Sequence, residues 1–262
     1  MTEEEQSESF KRRNAYLEDG SFRKKKQGMA LVQRLQRERG ATAAWVAGSN
    51  TVNLQVFLPC QCGTGSLVAD LRRRTDKVAP GDLEPELRTL RKLADRVGSN
   101  PSECARAFCS TLTGYSKLIK DVSGRAFDKM TPMVLTVAKI KEYFAQQRGF
   151  IAGVGCLPDA ALAALPPRML VFFLQVQEEL SLATLQAVHM ARANGGKVDL
   201  EARLAVEDAA MDELSCWLRS DEFTLAALRA RLQSGPISTE FVWTSWSAHI
   251  DKLQVSTCQG RG

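Results

Sequence analysis

Histidine is nearly missing from this chain: its 262 residues contain two, His189 and His249. Neither has a cysteine or carboxylate at the spacing of a metal site or a catalytic triad, so both read as surface or interface positions. Cysteine is present but scattered, at Cys60, Cys62, Cys104, Cys109, Cys156, Cys216 and Cys258. The one close pair, Cys60-Gln61-Cys62, lacks the paired spacing of a zinc site, and neither a metal nor another cofactor is expected. Long apolar runs are absent as well; nothing approaches the roughly 18 residues that would mark a membrane span. The acidic, Ser-rich start has no apolar signal segment, and with reduced thiols as the default the expected setting is cytoplasmic. Cys62-Gly63-Thr64-Gly65 lacks the lysine of a phosphate-binding loop. The carboxylate pairs Glu178-Glu179 and Glu207-Asp208 fall on polar helix faces, where solvation explains them. These absences leave no chemistry for an enzyme, and none is expected.

What is present is an ordinary globular composition, 44% hydrophobic and 25% charged, long enough for one large domain or two closely packed helical bundles. The net charge of +5 is mild. Its basic excess gathers in Lys11-Arg12-Arg13, Arg23-Lys24-Lys25-Lys26 and Arg72-Arg73-Arg74. With no aromatic platform among them, these runs read as solvated faces, and no nucleic-acid partner is expected. Residues 1–26 form a flexible charged extension in which Gly20 interrupts any helix. Residues 27–254 form the helical domain, and 255–262 a disordered tail.

Hydrophobic periodicity predicts helices over 27–48, 66–78, 84–97, 101–122, 132–155, 167–194, 198–218, 221–233 and 238–254. Residues 51–58 fit a strand or a helical turn equally, and 60–66 a loop. The stops are conventional: Ala79-Pro80-Gly81, Asn100-Pro101 with its polar cap and first-turn proline, and Asn194-Gly195-Gly196. No hairpin or strand pair is signalled, so the class is all-α, built as stacked, up-and-down helical bundles. Trp45, Trp217, Trp243 and Trp246 sit at helical spacing and read as core.

Two arginines break the pattern. The buried stripe of the first helix runs Val32, Leu35, Arg39, Thr42/Ala43, Val46; a later one runs Val137, Ile140, Phe144, Arg148, Ile151. In both, the arginine occupies an apolar position and is followed by glycine, Gly40 and Gly149. A guanidinium on a core-facing stripe costs several kcal/mol unless an anion meets it. Glu38 projects to another face than Arg39, and Glu142 lies off the face of Arg148, so neither arginine has an evident acid partner on its own helix. Each glycine costs about 1 kcal/mol in a helix relative to alanine, which makes sense where a second backbone or a ligand comes close. The pattern suggests a buried site for a small anion.

The same segments carry a resemblance. Leu35-Gln36-Arg37-Glu38-Arg39-Gly40-Ala41-Thr42-Ala43-Ala44 resembles the opening motif of the nitrate- and nitrite-sensing (NIT) domains of signalling proteins. Lys141-Glu142-x4-Gln147-Arg148-Gly149 resembles that family's second motif. Arg72-x-x-Thr75-Asp76 and Tyr115-Ser116-x-Leu118-Ile119 fall in order between them, and Trp243-x-x-Trp246-x3-Ile250-Asp251-x-Leu253 is similar to the terminal helix with its tryptophan register shifted. One departure is Gln147, where the family usually has glutamate. The resemblance implies nitrate or nitrite as ligand and an output domain or signalling partner, unidentified here, reached through the first and last helices. The residues expected to bind the anion are Arg39 and Arg148, with Thr42 as a hydroxyl donor and Gly40 and Gly149 offering backbone. Nitrate is planar and singly charged, and its oxygens suit a guanidinium fork. Without ligand the two arginines would repel; an anion would draw their helices together, and a homodimer is allowed. The alternative is a helical scaffold for protein interaction that keeps the fold without a ligand.

Overall fold

A computed structural model of the chain describes residues 20–48, 64–95, 100–126, 131–193, 209–235 and 237–259. Among these there are ten α-helices and no strand. In chain order they are α1 (Gly20–Ala47), α2 (Thr64–Asp76), α3 (Glu84–Asp95), α4 (Pro101–Ala126), α5 (Pro132–Cys156), α6 (Asp159–Ala163), α7 (Pro167–Ala193), α8 (Ala209–Trp217), α9 (Leu225–Ser234) and α10 (Thr239–Gln259), with a 3-10 turn at Gly81–Leu83. The all-α class is as expected.

The boundaries differ in places. The first helix begins at Gly20, not at residue 27, because a glycine at the first position meets no preceding turn and nothing from Ser21 to Gln27 breaks a helix. The last continues to Gln259, since no glycine follows Trp246 before Gly260. The second starts at Thr64, inside the span read as loop. The ninth starts only at Leu225, where the Thr224 hydroxyl accepts from the Ala227 amide at 3.1 Å as an N-cap. The short α6 escaped sequence analysis; five residues are too few for a periodic signal. The cap at Asn100 is as expected, its Oδ1 accepting from the Ser102 amide at 2.9 Å. Residues 51–58, Cys60, Cys62, the first basic run and the Glu207-Asp208 pair lie outside the described residues.

The helix α5 organises the rest. It is apolar around most of its circumference and buried along most of its length, as a helix enclosed on all sides must be. It packs against α1, α4, α7, α9 and α10, while α1 also packs on α2 and α4, and α3 on α4. One layer of apolar side chains therefore joins α1, α3 and α4 around Leu35, Leu87, Tyr115 and Ile119. Another joins α5, α7 and α10 around Ile140, Phe144, Ala187 and Leu253. The largest cluster spans both sides of the second half of α5 and includes Phe108, Phe150, Phe173 and Trp246.

Candidate functional site

Small residues let α1 and α5 cross closely. A Cβ placed on Gly149 would lie 3.9 Å from the Gly40 Cα, and one on Gly40 would lie 3.6 Å from an Arg148 Nη. The close approach that the two glycines suggest is thus, at Gly149, that of a second backbone. Every residue of both predicted stripes is buried, Arg39 and Arg148 included.

The two arginines have different surroundings. Arg39 is fully buried and is ion-paired with Glu142 of α5 through Nη1, with Nη2 donating to the other carboxylate oxygen at 3.4 Å. Nη1 also donates to Ser116 Oγ at 3.0 Å. This corrects the expectation that Arg39 lacks an acid partner: the partner lies on another helix, where i, i+4 reasoning does not reach. Gln36 and Gln146 complete the carboxylate, donating at 2.8 and 2.7 Å.

Arg148 has no acid within 4 Å among the described residues. Its Nη1 donates to Ser247 Oγ at 2.7 Å, its guanidinium carbon stands 4.4 Å over the Trp243 ring, and its Nε has no hydrogen-bond partner among the described residues. Burial, and then the positive charge of Arg39, push its pKa down to about 10. A cation stacked on an indole is favourable by about 0.5–2 kcal/mol, well short of what a carboxylate would supply in a desolvated position.

Arg148 lines a cleft of about 260 Å³ whose walls come from α1, α5 and α10 with Leu71 of α2, and Gln36, Arg37, Lys141, Ser247 and Asp251 are among the lining residues. Of the five predicted ligand residues only Arg148 lines it. Arg39, Gly40 and Gly149 sit at the helix crossing behind it. Thr42 is buried and its hydroxyl has no partner among the described residues, but it does not line the cleft. Gln147 opens to a different cleft, shared with Gln177, Thr184 and Asp212, so its departure from the family pattern takes no carboxylate away from Arg148. Trp243 and Trp246 are buried, as expected of core residues. His249, expected at a surface or interface position, is buried as well, 4.8 Å from the Phe144 ring in an edge-on contact; it follows Trp246 by one helical step and shares its inward face.

The other motifs meet in a polar cluster around Glu38. Glu38, fully buried, accepts from Arg91 Nε at 2.7 Å and Nη2 at 3.1 Å, and from the Tyr115 hydroxyl at 2.7 Å. Arg91 also reaches Asp76 at 2.8 Å. Burial and the Glu38 charge hold the Tyr115 phenol well above its ordinary value, so it stays a donor. Sequence analysis missed Arg91, Ser247 and the role of Glu142. The available signal was weak: Glu142 is one of several polar residues in the middle of its helix, with Lys139, Lys141, Gln146 and Gln147 close by.

The sequence profile of the NIT family, described as nitrate and nitrite sensing, matches residues 30–255. The chain belongs to the NIT family, a sensory rather than a catalytic one. No curated protein and no solved structure matches it. Among the described residues no helix is long and apolar enough to cross a membrane, and no cluster of His, Cys, Asp or Glu is suited to a metal ion.

Proposed function

We propose that this chain is a cytoplasmic sensory module that binds nitrate or nitrite at Arg148, in the cleft between the two arginine-bearing helices, and passes the event to a signalling partner. The observation that carries this reading is the buried Arg148 guanidinium: it faces a cleft, has no acid partner among the described residues, and is held by a hydroxyl and an indole. A small monovalent anion supplies the missing charge, and charge-assisted hydrogen bonds to it are worth about 1.5–3 kcal/mol each. Arg39, Thr42, Gly40 and Gly149 contribute from behind, through the positive charge of the crossing and its close packing.

Coupling runs through α10. Trp243 and Ser247 both belong to it and both engage Arg148, so an anion that reorients the guanidinium changes what α10 rests on. The output is a population shift of α10 against α1 and α5, in a monomer or a homodimer. The scaffold alternative draws on one feature, four exposed apolar residues on α7 at Val171, Leu174, Leu182 and Leu185.

Calorimetric titration with nitrate and nitrite tests the assignment. The wild type should bind at least one of them, and Arg148→Ala should lose binding while staying folded. A wild type that binds neither, or a folded Arg148→Ala variant that binds as the wild type does, defeats the proposal.

A further inference from the structure

The cleft has a second arginine, and it is not the one on the buried stripe. Gln33, Gln36, Arg37 and Ala41 of α1 line the cleft, at the spacing of one helical face. Gly40 borders that face, and there α1 meets Arg148: a Cβ on Gly40 would lie 3.6 Å from an Arg148 Nη. Arg37 precedes Gly40 by three residues, one turn away on the same side. Across the cleft, Asp251 of α10 stands 3.8 Å from Arg37, and Ser247, one turn earlier on α10, accepts from Arg148 at 2.7 Å. The two guanidinium groups therefore meet α10 one turn apart, a rise of about 6 Å. One small oxyanion spans such a gap when each arginine donates to a different oxygen.

Arg37 is available to a ligand in a way that Arg39 is not. The charge of Arg39 is felt more strongly at Arg148 than that of Arg37, but Arg39 is fully buried, is paired with Glu142 and does not line the cleft. The Arg37 side chain is 62% exposed, and its contact with Asp251 is too long for a hydrogen bond. An exposed pair of that geometry contributes little, so exchanging Asp251 for an anion costs little. Lys141, another cation of the lining, belongs to α5 itself, two turns before Arg148. An anion shared between Lys141 and Arg148 would engage one helix; shared between Arg37 and Arg148, it joins two.

We infer that Arg37 is the second anion-binding residue of the cleft, leaving Asp251 to donate to the oxyanion that Arg148 holds. The inference rests on the anion-binding reading above and names the residue that shares the ligand. Asp251 is then the internal competitor of the anion. Binding trades the Arg37–Asp251 tie between α1 and α10 for a tie between α1 and α5 through the ligand.

The test is nitrate titration at constant ionic strength on the wild type, Arg37→Ala, Arg37→Lys, Asp251→Asn and the Arg37→Ala/Asp251→Asn double variant. Both positions are exposed, so the fold does not depend on them. Arg37→Ala should weaken binding by at least about tenfold, the loss of one charge-assisted contact. Arg37→Lys keeps the charge without the planar fork and should stay at least about threefold weaker than the wild type. Asp251→Asn should tighten binding by about two- to fivefold. In the Arg37→Ala background the same change should matter by less than about twofold, because only a screened charge is then removed. Wild-type affinity in Arg37→Ala, or in Arg37→Lys, overturns the ligand role of Arg37; in the second case its charge alone matters. An equal gain from Asp251→Asn in both backgrounds overturns the exchange of partners. A wild type that binds neither nitrate nor nitrite removes the site itself.

Discussion

Arg39 and Arg148 occupy equivalent places in the sequence pattern and should respond oppositely to substitution. Arg39 is one half of a buried pair, and removing it leaves the Glu142 carboxylate with two amides where it had a cation. Arg39→Ala should therefore destabilise the ligand-free protein by about 3–5 kcal/mol. Arg148 is a buried cation with no carboxylate within 4 Å among the described residues, and its folded-state pKa lies below its ordinary value. For a base, a depressed pKa means that the folded state disfavours the charged form. The stability forfeited is missing at neutral pH and returns only as pH rises through about 10. Arg148→Met keeps an apolar contact on Trp243 and deletes the charge, so it should be neutral or stabilise the ligand-free protein by about 1–3 kcal/mol. Urea denaturation in nitrate-free buffer at pH 7 measures both. Equal losses of several kcal/mol for the two variants would mean that Arg148 has a partner as good as Glu142. The thiols of Cys109 and Cys156 are pushed up to about 11 by burial, so they stay protonated at neutral pH and are packing groups.

At the scale of the helix, the glycines of α5 are not equivalent. A Cβ on Gly153 would fall 2.0 Å from a carbon of Phe108, a ring with no exposed surface and no room to move. On Gly149 the nearest atom is a Leu112 methyl at 3.4 Å, an ordinary contact. Alanine improves helix propensity by about 1 kcal/mol at either position, but overpacking a filled core costs about 1–3 kcal/mol. Gly153→Ala should thus lower stability, by up to about 2 kcal/mol, while Gly149→Ala should leave it unchanged or raise it. Thermal unfolding of the two variants separates them, and a loss at Gly149 larger than at Gly153 would contradict this account. Gly149→Ala also probes the site: with the fold preserved, a fall in nitrate affinity would show that the backbone at the α1–α5 crossing takes part in binding.

For the whole molecule, a ligand that binds the native state alone adds roughly 2.7 kcal/mol at a hundred times its dissociation constant. In a chain of this size that corresponds to a rise in melting temperature of about 5–10 °C. Nitrate should produce it, and chloride and sulfate at matched ionic strength should produce much less, since general screening acts alike on all three. Equal shifts for all three ions would favour the scaffold reading. The basic runs make a second expectation at this scale: binding to duplex DNA should be weak and should vanish at physiological salt. Arg73 and Arg74 already pair with Asp70 within α2. A specific complex that survives physiological salt would assign those runs a role the proposed sensor does not need.

The helices, their apolar faces and the two misplaced arginines were legible in the order of residues, because each depends on spacings of three and four along one segment. What local order could not carry was the pairing of charges. Arg39 and Glu142 are 103 residues apart along the chain, and they meet only because α1 and α5 cross at Gly40 and Gly149 with a particular rotation. The same packing brings Ser247 and Trp243 of α10 onto Arg148, and turns His249 inward beside Trp246. Periodicity says which face of a helix is buried; which neighbour covers it follows from how the bundles dock. Tertiary structure alone therefore decided that one arginine is ion-paired within the protein while the other faces a cleft with no carboxylate within 4 Å among the described residues.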